Sequence, residues 1–276
     1  MGKYSSLIRT AKKYEKSREY QKAVVTYFEA MAIKSTDYVR WRHIGYLCRD
    51  ACMYDKAAEA FTHAFELDPN HMNTINALSI SCTNSGNHEK ALEFNDRAIA
   101  LDPLNPNLWL NKGFIYSNMK SYSKAIESYK KSIEIDSRFI SGWDNIVATY
   151  NDMGEYDNAL EVAKETVRVS PFYALGWNNL AYTHYLRKEY NLAMKAVEKA
   201  LDLERHFEIA LATQAEIYCG MGDYDKAIEV CKKIENYPVE VFKICKKCLD
   251  INPNHDEAKA VIKSLTARFK YNKYSN

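Results

Sequence analysis

The sequence is poor in several features that would assign it to a familiar functional class. Glycine and proline are scarce, with 9 and 6 residues in a chain of 276. No stretch approaches the roughly 18 consecutive apolar residues that cross a bilayer, and no apolar segment like that of a signal peptide follows the first residues. A glycine-rich phosphate loop and a paired-histidine metalloprotease motif are both absent. We therefore expect a protein without membrane segments, enzyme activity, cofactor or metal ion.

The seven cysteines do not form the framework of a small secreted domain. Their number is odd and they are scattered, which favours a reducing compartment, so we expect a cytoplasmic location. Cys245 and Cys248 form the one local pattern that resembles a metal or redox motif. A structural zinc site usually has four ligands; Cys231 and His255 are the candidates to complete one, and a second cysteine pair is missing. Because two cysteines on one helical face are commonly small buried apolar residues, we predict that they lie in the core.

The net charge of +2 is unevenly distributed. Residues 1–56 carry 12 Lys and Arg against 6 Asp and Glu, whereas residues 57–110 carry 2 against 7. Residues 111–235 carry 16 against 19, and residues 236–276 carry 8 against 4. Nucleic-acid binding needs a continuous basic surface with interleaved aromatic residues, and the acidic middle interrupts one. We interpret the basic ends as the solvated outer faces of terminal helices.

What the sequence does contain is a pattern that returns every 34 residues, the signature of a repeat array. One column holds alanine in seven consecutive repeats: Ala23, Ala57, Ala91, Ala125, Ala159, Ala193 and Ala227. A second column, three residues upstream, is aromatic: Tyr20, Tyr54, His88, Tyr122, Tyr156, Tyr190 and Tyr224. A third column opens each repeat and accounts for every tryptophan: Leu7, Trp41, Ile75, Trp109, Trp143, Trp177 and Leu211.

Each repeat is predicted to form two antiparallel helices. In the fourth repeat, Trp109, Gly113 and Tyr116 share one helical face, and Ala125 and Tyr129 continue it in the second helix. The alanine column indicates where the two helices approach most closely, because a larger side chain would push their backbones apart. Glycine is expected to end three of the first helices with a positive φ, at Gly86, Gly154 and Gly222.

These residues resemble the tetratricopeptide repeat motif, W-x2-L-G-x2-Y followed by a small residue, an aromatic residue, another small residue and a proline. The glycine of the motif is present at Gly45 and Gly113, and its proline at Pro69, Pro103 and Pro171. The repeats begin at Tyr4, Tyr38, Met72, Pro106, Ile140, Ala174 and Glu208.

The resemblance covers at least residues 4–241. It implies an all-α fold, an α-solenoid in which tandem helix-turn-helix units of 34 residues form a right-handed superhelix. We expect a single array over residues 1–276, in which residues 242–276 form a degenerate capping unit. Helices are expected at Val239–Leu249 and about His255–Tyr271. The second of these would place Ala258, Val261, Ile262 and Leu265 inward and Lys259, Lys263 and Lys270 outward.

In this family the first helices of successive repeats line the concave surface of the superhelix. Three consecutive repeats have asparagine two residues after the opening position, at Asn111, Asn145 and Asn179. Amide side chains offer both a donor and an acceptor, so such a row suits the backbone of an extended peptide whatever its sequence. We expect these amides to be largely free of intramolecular partners. Asparagine is also the commonest residue at this place in the family, which leaves a purely structural explanation open.

Other positions that the motif leaves free on the first helices are expected to line the same groove. The main candidates are Asn107, Asn178, Phe114, Asp144, Tyr182, Arg42, Tyr46 and Asn76. Neighbouring positions are Leu110, Asn151, Tyr185, Glu216 and Ile80. The carboxylate clamp of the heat-shock co-chaperones in this family is not matched, because Tyr46 stands where the clamp requires an asparagine after Arg42.

The resemblance implies a non-enzymatic scaffold that binds a peptide or helix of a partner protein in its concave groove, as a monomer or weak homo-oligomer. Two alternatives remain open. One is a self-assembling protein whose terminal helices pack against copies of itself, and the other is an RNA-binding helical repeat that uses its basic ends. The identity of the partner does not follow from the residues.

Overall fold

The computed structural model describes the backbone of residues 2–274 and the side chains of residues 2–266. Within this part of the chain there are sixteen α-helices and no β-strand. The predicted all-α fold of tandem helix pairs is therefore confirmed. The helices form two compact units, residues 1–137 and residues 138–276, and the division falls in the connection between two helix pairs.

Each unit contains four consecutive helix pairs among the described residues. Unit 1 consists of α1 (Lys3–Lys16), α2 (Tyr20–Ile33), α3 (Tyr38–Asp50), α4 (Tyr54–Leu67), α5 (Met72–Asn84), α6 (His88–Leu101), α7 (Pro106–Asn118) and α8 (Tyr122–Ile135). Unit 2 consists of α9 (Ile140–Met153), α10 (Tyr156–Val169), α11 (Ala174–Leu186), α12 (Tyr190–Leu203), α13 (Glu208–Met221), α14 (Tyr224–Cys231), α15 (Pro238–Ile251) and α16 (Asp256–Tyr274). Odd-numbered helices are the first helices of their pairs, and even-numbered helices are the second.

The alanine column lies where the two helices of a pair meet. All seven of its alanines have an exposed fraction of 0%. The motif glycines mark an equally close approach, since a Cβ added at Gly45 would lie 2.6 Å from the ring of Phe61. At Gly113 it would lie 2.4 Å from the ring of Tyr129. Small residues at these places therefore let large rings of the second helix pack against the backbone of the first.

The turn inside each of the first seven pairs has one conformation. Gly86, Gly154 and Gly222 adopt a positive φ, as predicted. The same left-handed conformation is adopted at the equivalent positions without glycine, at Arg18, Cys52, Lys120 and Lys188. In every case the next backbone N–H donates to the carbonyl five residues earlier, as Glu155 does to Tyr150 at 2.9 Å. This hydrogen bond closes the end of the first helix and fixes the turn.

Three tryptophans of the opening column attach their first helices to the connections that precede them. The indole N–H of Trp41 donates to the carbonyl of Ser35, that of Trp109 to Pro103 and that of Trp177 to Pro171, at 2.8, 3.0 and 2.8 Å. In each case the acceptor lies six residues upstream. The column thus positions one pair after another, and the tryptophans are largely enclosed side chains rather than a free stacking surface.

Neighbouring first helices lie side by side within each unit. In unit 1, α5 packs against α7, and the hydroxyls of Tyr38 on α3 and Thr74 on α5 are 2.9 Å apart. In unit 2, α11 packs against both α9 and α13, and α13 packs against α15. We refer to these surfaces as the first-helix face of unit 1 (α3, α5 and α7) and the first-helix face of unit 2 (α9, α11, α13 and α15).

The last pair starts earlier than the 34-residue step predicts. Helix α15 begins at Pro238, one residue before the predicted helix start at Val239 and four residues before the expected unit boundary at residue 242. Proline is well tolerated at a first helical position because its missing N–H has no partner there. The preceding residues are held out of a helix by Glu208, whose carboxylate accepts the backbone N–H groups of Glu235 and Asn236 at 3.3 and 2.8 Å.

The two C-terminal helices pack on the end of unit 2. Helix α16 contacts α14 and α15, with Ala258 and Leu265 buried and Lys259 and Lys263 exposed. The side chain of Lys270 lies outside the described residues.

Cys245 and Cys248 are buried in the core, as predicted. The thiol of Cys248 lies 3.8 Å from that of Cys219. In the described part of the chain no group of three or more His, Cys, Asp or Glu side chains is placed to hold a metal ion, and no helix is long and apolar enough to span a bilayer.

We expect Ala125→Leu to lower the free energy of unfolding by roughly 1–3 kcal/mol, because the larger side chain overpacks the contact between α7 and α8. Urea denaturation followed by circular dichroism measures the change. Ala100→Leu on α6 is the matched control, since Ala100 is exposed. Equal stability of the two variants would contradict the role of the alanine column.

Candidate functional site

The three asparagines predicted to form a ladder are engaged within the protein. The side-chain amide of Asn111 donates to the amide oxygen of Asn76 at 2.9 Å, and that of Asn179 donates to a carboxylate oxygen of Asp144 at 2.8 Å. Both bonds join residues 35 positions apart, on neighbouring first helices. The amide of Asn145 donates to the carbonyl of Ser141 in its own helix at 2.7 Å. The expectation that these amides are largely free was therefore wrong, because side-by-side first helices bring an acceptor within their reach.

The same hydrogen bonds leave the amide oxygens available. The oxygens of Asn111, Asn145 and Asn179 accept no hydrogen bond from any described residue, and all three side chains are half-buried. A bond through the nitrogen fixes the orientation of the amide group. Each of the three side chains therefore has an oriented amide oxygen that can accept a hydrogen bond and one amide N–H that can still donate one.

Asp144 is the centre of a hydrogen-bonded group in unit 2. Its carboxylate accepts the hydroxyl of Tyr173 at 2.7 Å in addition to the amide of Asn179. Burial raises the pKa of Asp144, and the two hydrogen bonds only partly oppose that rise. Tyr173, which precedes α11, was not among the predicted positions. It is detectable in the sequence only as a tyrosine next to a repeat boundary, so its hydroxyl had no visible partner there.

The first-helix face of unit 1 carries an arginine held between two aromatic rings. The guanidinium carbon of Arg42 lies 5.5 Å from the ring centre of Tyr38 and 5.9 Å from that of Tyr46. Tyr46 in turn packs edge-on against Phe61. Arg42 has no ion pair with a described residue, and its Nε is buried without a hydrogen-bond acceptor. Sequence reasoning selected Arg42 and Tyr46 but missed Tyr38, because Tyr38 opens its repeat rather than facing the expected groove.

The remaining predicted positions divide into exposed and buried ones. Phe114 and Tyr182 occupy equivalent positions on α7 and α11, with exposed fractions of 49% and 37%. Asn107 is exposed at the start of α7, where its amide donates to Asn105 at 3.3 Å. Asn178 has an exposed fraction of only 4%. Asn178 is therefore part of the packing under the face rather than a ready contact on it.

Glu216 on α13 is a half-buried carboxylate that makes no hydrogen bond or ion pair with a described residue. Burial raises its pKa, although the charges of Lys247 and Lys243 on α15 act in the opposite direction. Tyr182 and Tyr185 on α11 lie close enough for the Glu216 charge to contribute to the rise in their pKa values, which is caused mainly by burial. The carboxylate is thus poorly solvated and without a partner of its own.

We expect Asn179→Ala to lower the free energy of unfolding by about 1–2 kcal/mol, because Asp144 loses one of its two side-chain donors while it stays largely enclosed. Asn145→Ala is the matched control, since Asn145 occupies the same repeat position but donates only within its own helix. Chemical denaturation of both variants provides the measurement. Equal losses would argue against a stabilising bond between neighbouring first helices.

We expect Glu216→Gln to unfold at a higher urea concentration than the parent at pH 7, with a gain of roughly 1 kcal/mol from removing an unpaired, poorly solvated charge. A carboxyl whose pKa is raised on folding contributes most stability when protonated, and that contribution is lost as pH rises through its folded-state pKa. The gain should therefore vanish below about pH 4. Glu198→Gln, at an exposed position on α12, is the control, and an advantage that persists at low pH would contradict the electrostatic cause.

Comparisons with known proteins agree with this architecture. A family model described as tetratricopeptide repeat matches residues 106–139, and a second model of the same description matches residues 150–206. No curated protein matches the sequence. A tetratricopeptide repeat protein from Parabacteroides merdae is similar in structure, with a TM-score of 0.64 at 16% identity over 95% of this chain and 98% of that one.

Two further solved structures share the fold. Yeast Tom70 has a TM-score of 0.68 at 15% identity, over 96% of this chain and 60% of that one. The pilF protein of Pseudomonas aeruginosa has a TM-score of 0.56 at 16% identity, over 84% of this chain and 97% of that one. Similarity at such low identity shows a common fold and does not carry a function across. The matching family models, together with the seven-fold alanine column and the helix pairs, show that the chain is built from tetratricopeptide repeats.

Proposed function

We propose that the chain is a non-enzymatic scaffold that binds an extended peptide of a partner protein along its first-helix faces. Tetratricopeptide repeats suggest a role in protein–protein interaction, but a fold alone does not fix a function. The observation that carries the proposal is the set of oriented amide oxygens at Asn111, Asn145 and Asn179. These acceptors suit the backbone N–H groups of a peptide, which every sequence offers.

The intramolecular bonds of the asparagines support binding rather than oppose it. An amide fixed by Asn76 or Asp144 loses little further freedom when a peptide binds. Ordering a free side chain at an interface costs about 0.5–1.5 kcal/mol, so fixed acceptors make each hydrogen bond to a ligand more favourable. The revised mechanism therefore uses the amide oxygens as the principal contacts, instead of fully free amides.

Phe114 supplies an apolar contact on the first-helix face of unit 1, and Tyr182 supplies one on the first-helix face of unit 2. Both rings are partly exposed at equivalent positions of their repeats, and exposed aromatic side chains commonly provide most of the binding energy at protein interfaces. Side-chain amide acceptors and partly exposed aromatic rings on these faces suit an extended segment. A buried small molecule would instead require an enclosed apolar pocket.

The proposal is tested with peptides selected from a random display library on the immobilised full chain. We expect Phe114→Ser combined with Tyr182→Ser to weaken the selected peptides at least about tenfold in fluorescence anisotropy, as loss of central aromatic contacts does elsewhere. Leu104→Ser combined with Phe172→Ser is the matched control. Leu104 and Phe172 are also apolar, with exposed fractions of 75% and 86%, but they lie in connections between pairs.

Two results would count against peptide binding on these faces. One is a library that yields no binder to the parent protein, and the other is an equal loss of affinity in the control variant. Sedimentation velocity on the same samples tests the self-assembly alternative, which requires the mean mass to rise with protein concentration. Retention on heparin that falls steeply with salt would be expected only for the nucleic-acid alternative.

A further inference from the structure

Glu216 is a half-buried acidic side chain on the first-helix face of unit 2 that has no partner among the described residues. Removing a carboxylate from water without pairing it is unfavourable. Packing does not require an acid at this position, because the equivalent residues of other repeats include Ile80, Phe114 and Ala148.

Charged and titratable groups lie near Glu216 on two neighbouring helices, α11 and α15. On α11 these are Tyr182 and Tyr185, whose ring centres are 5.9 Å apart, and on α9 the carboxylate of Asp152 also acts on Tyr182. On α15 they are Glu240, Lys243 and Lys247. Both lysines are exposed, and neither is in ion-pair contact with Glu216. Their positive charges partly oppose the rise in the pKa of Glu216, but they make no hydrogen bond to its carboxylate.

The unpaired polar atoms on the adjoining helices are also hydrogen-bond acceptors. The amide oxygen of Asn178 is buried without a donor, and so is that of Asn151. The orientation of Asn151 is fixed, because its amide nitrogen donates to the hydroxyl of Thr183 at 3.1 Å. Asn178, Tyr182 and Tyr185 follow the i, i+4, i+7 spacing of one helical face. The accessible groups of this surface are therefore the Glu216 carboxylate and the electron-rich tyrosine rings, which favour a donor that carries positive charge.

We propose that Glu216, together with the rings of Tyr182 and Tyr185, forms a subsite for a lysine or arginine side chain of the bound peptide. The proposal rests on the peptide-binding function proposed above and specifies one residue of its ligand. The carboxylate pairs with the ammonium or guanidinium group, and the two tyrosine rings cover the aliphatic part of the side chain.

The experiment compares peptides selected from one random 12-residue display library on three proteins: the parent, Glu216→Gln and Glu240→Gln. Glutamine keeps the shape of the side chain and removes its charge. Glu240 is the matched control, because it is a neighbouring carboxylate on α15 outside the subsite. We expect lysine or arginine to be enriched at one peptide position with the parent and with Glu240→Gln, and to lose that enrichment with Glu216→Gln.

A double-mutant cycle then measures the contact with one selected peptide and its Lys→Met or Arg→Met form. On the parent, we expect the change to methionine to weaken binding about tenfold, as loss of one partner of an enclosed charge pair does. On Glu216→Gln, the same change should alter affinity less than about twofold, since the coupling is removed. Circular dichroism and denaturation of the variant confirm that it is folded.

The outcomes separate the subsite from the general function. Selected peptides without a basic preference, or with a preference that survives in Glu216→Gln, overturn the subsite and leave peptide binding standing. A preference lost equally in Glu240→Gln attributes the effect to the overall charge of unit 2 and also overturns it. If no peptide binds the parent, the proposed function fails, and the subsite fails with it.

Discussion

The close approach of two helices at a single alanine is the contact on which the rest of the structure depends. Seven alanines, 34 residues apart, are fully buried at this contact. Because no side chain larger than a methyl group separates the helices there, the ring of Phe61 or Tyr129 can pack onto a glycine of the first helix. Within each unit, neighbouring first helices lie side by side, and they are at a common height where Asn111 contacts Asn76 and Asn179 contacts Asp144.

This common height explains the behaviour of the predicted ladder. When neighbouring first helices are in register, a side chain on one lies opposite the residue 35 positions earlier on the other. Asn111 finds an amide oxygen there in Asn76, and Asn179 finds a carboxylate in Asp144. The regularity that places the asparagines in a row therefore also supplies them with partners. In such an array, the amide nitrogens of Asn111 and Asn179 bond to neighbouring helices, and their amide oxygens accept no hydrogen bond from a described residue.

Structural features that depend on residues close together in the sequence could be predicted, whereas contacts between residues far apart in the sequence could not. The helix pairs, the buried alanines and the turns at Gly86, Gly154 and Gly222 follow from periodicity and from the conformational freedom of glycine. The left-handed turns at Arg18 and Lys120 were not visible, because their residue types do not demand a positive φ; the closing hydrogen bond does. The start of α15 at Pro238 lies one residue from the predicted Val239, whereas the hydrogen bonds that Glu235 and Asn236 donate to Glu208 were not visible because they join residues 27 and 28 positions apart.

The candidate site was predictable as a surface but not as chemistry. Of the positions that the motif leaves free, Asn107, Phe114 and Tyr182 are exposed and Asn178 is buried, and most of the others are half-buried. The hydrogen bonds that each side chain makes depend on partners from other helices. Asp144 and Glu216 illustrate this difference. Both are half-buried carboxylates whose pKa values are raised by burial, yet Asp144 accepts hydrogen bonds from Tyr173 and Asn179 and Glu216 accepts none.

Asp144 therefore has a structural role within unit 2, whereas Glu216 makes no stabilising contact with a described residue. Hydrogen bonds to Asp144 offset part of the cost of enclosing its charge, and its side chain ties α9 to α11. Burying the charge of Glu216 is also unfavourable, and no hydrogen bond from a described residue offsets that free energy. Other repeats have alanine or isoleucine at the equivalent position. Departures from local stability rules are expected mainly at functional sites. The carboxylate that the fold leaves unpaired is therefore a stronger indicator of ligand chemistry than the asparagines that the sequence places in a row.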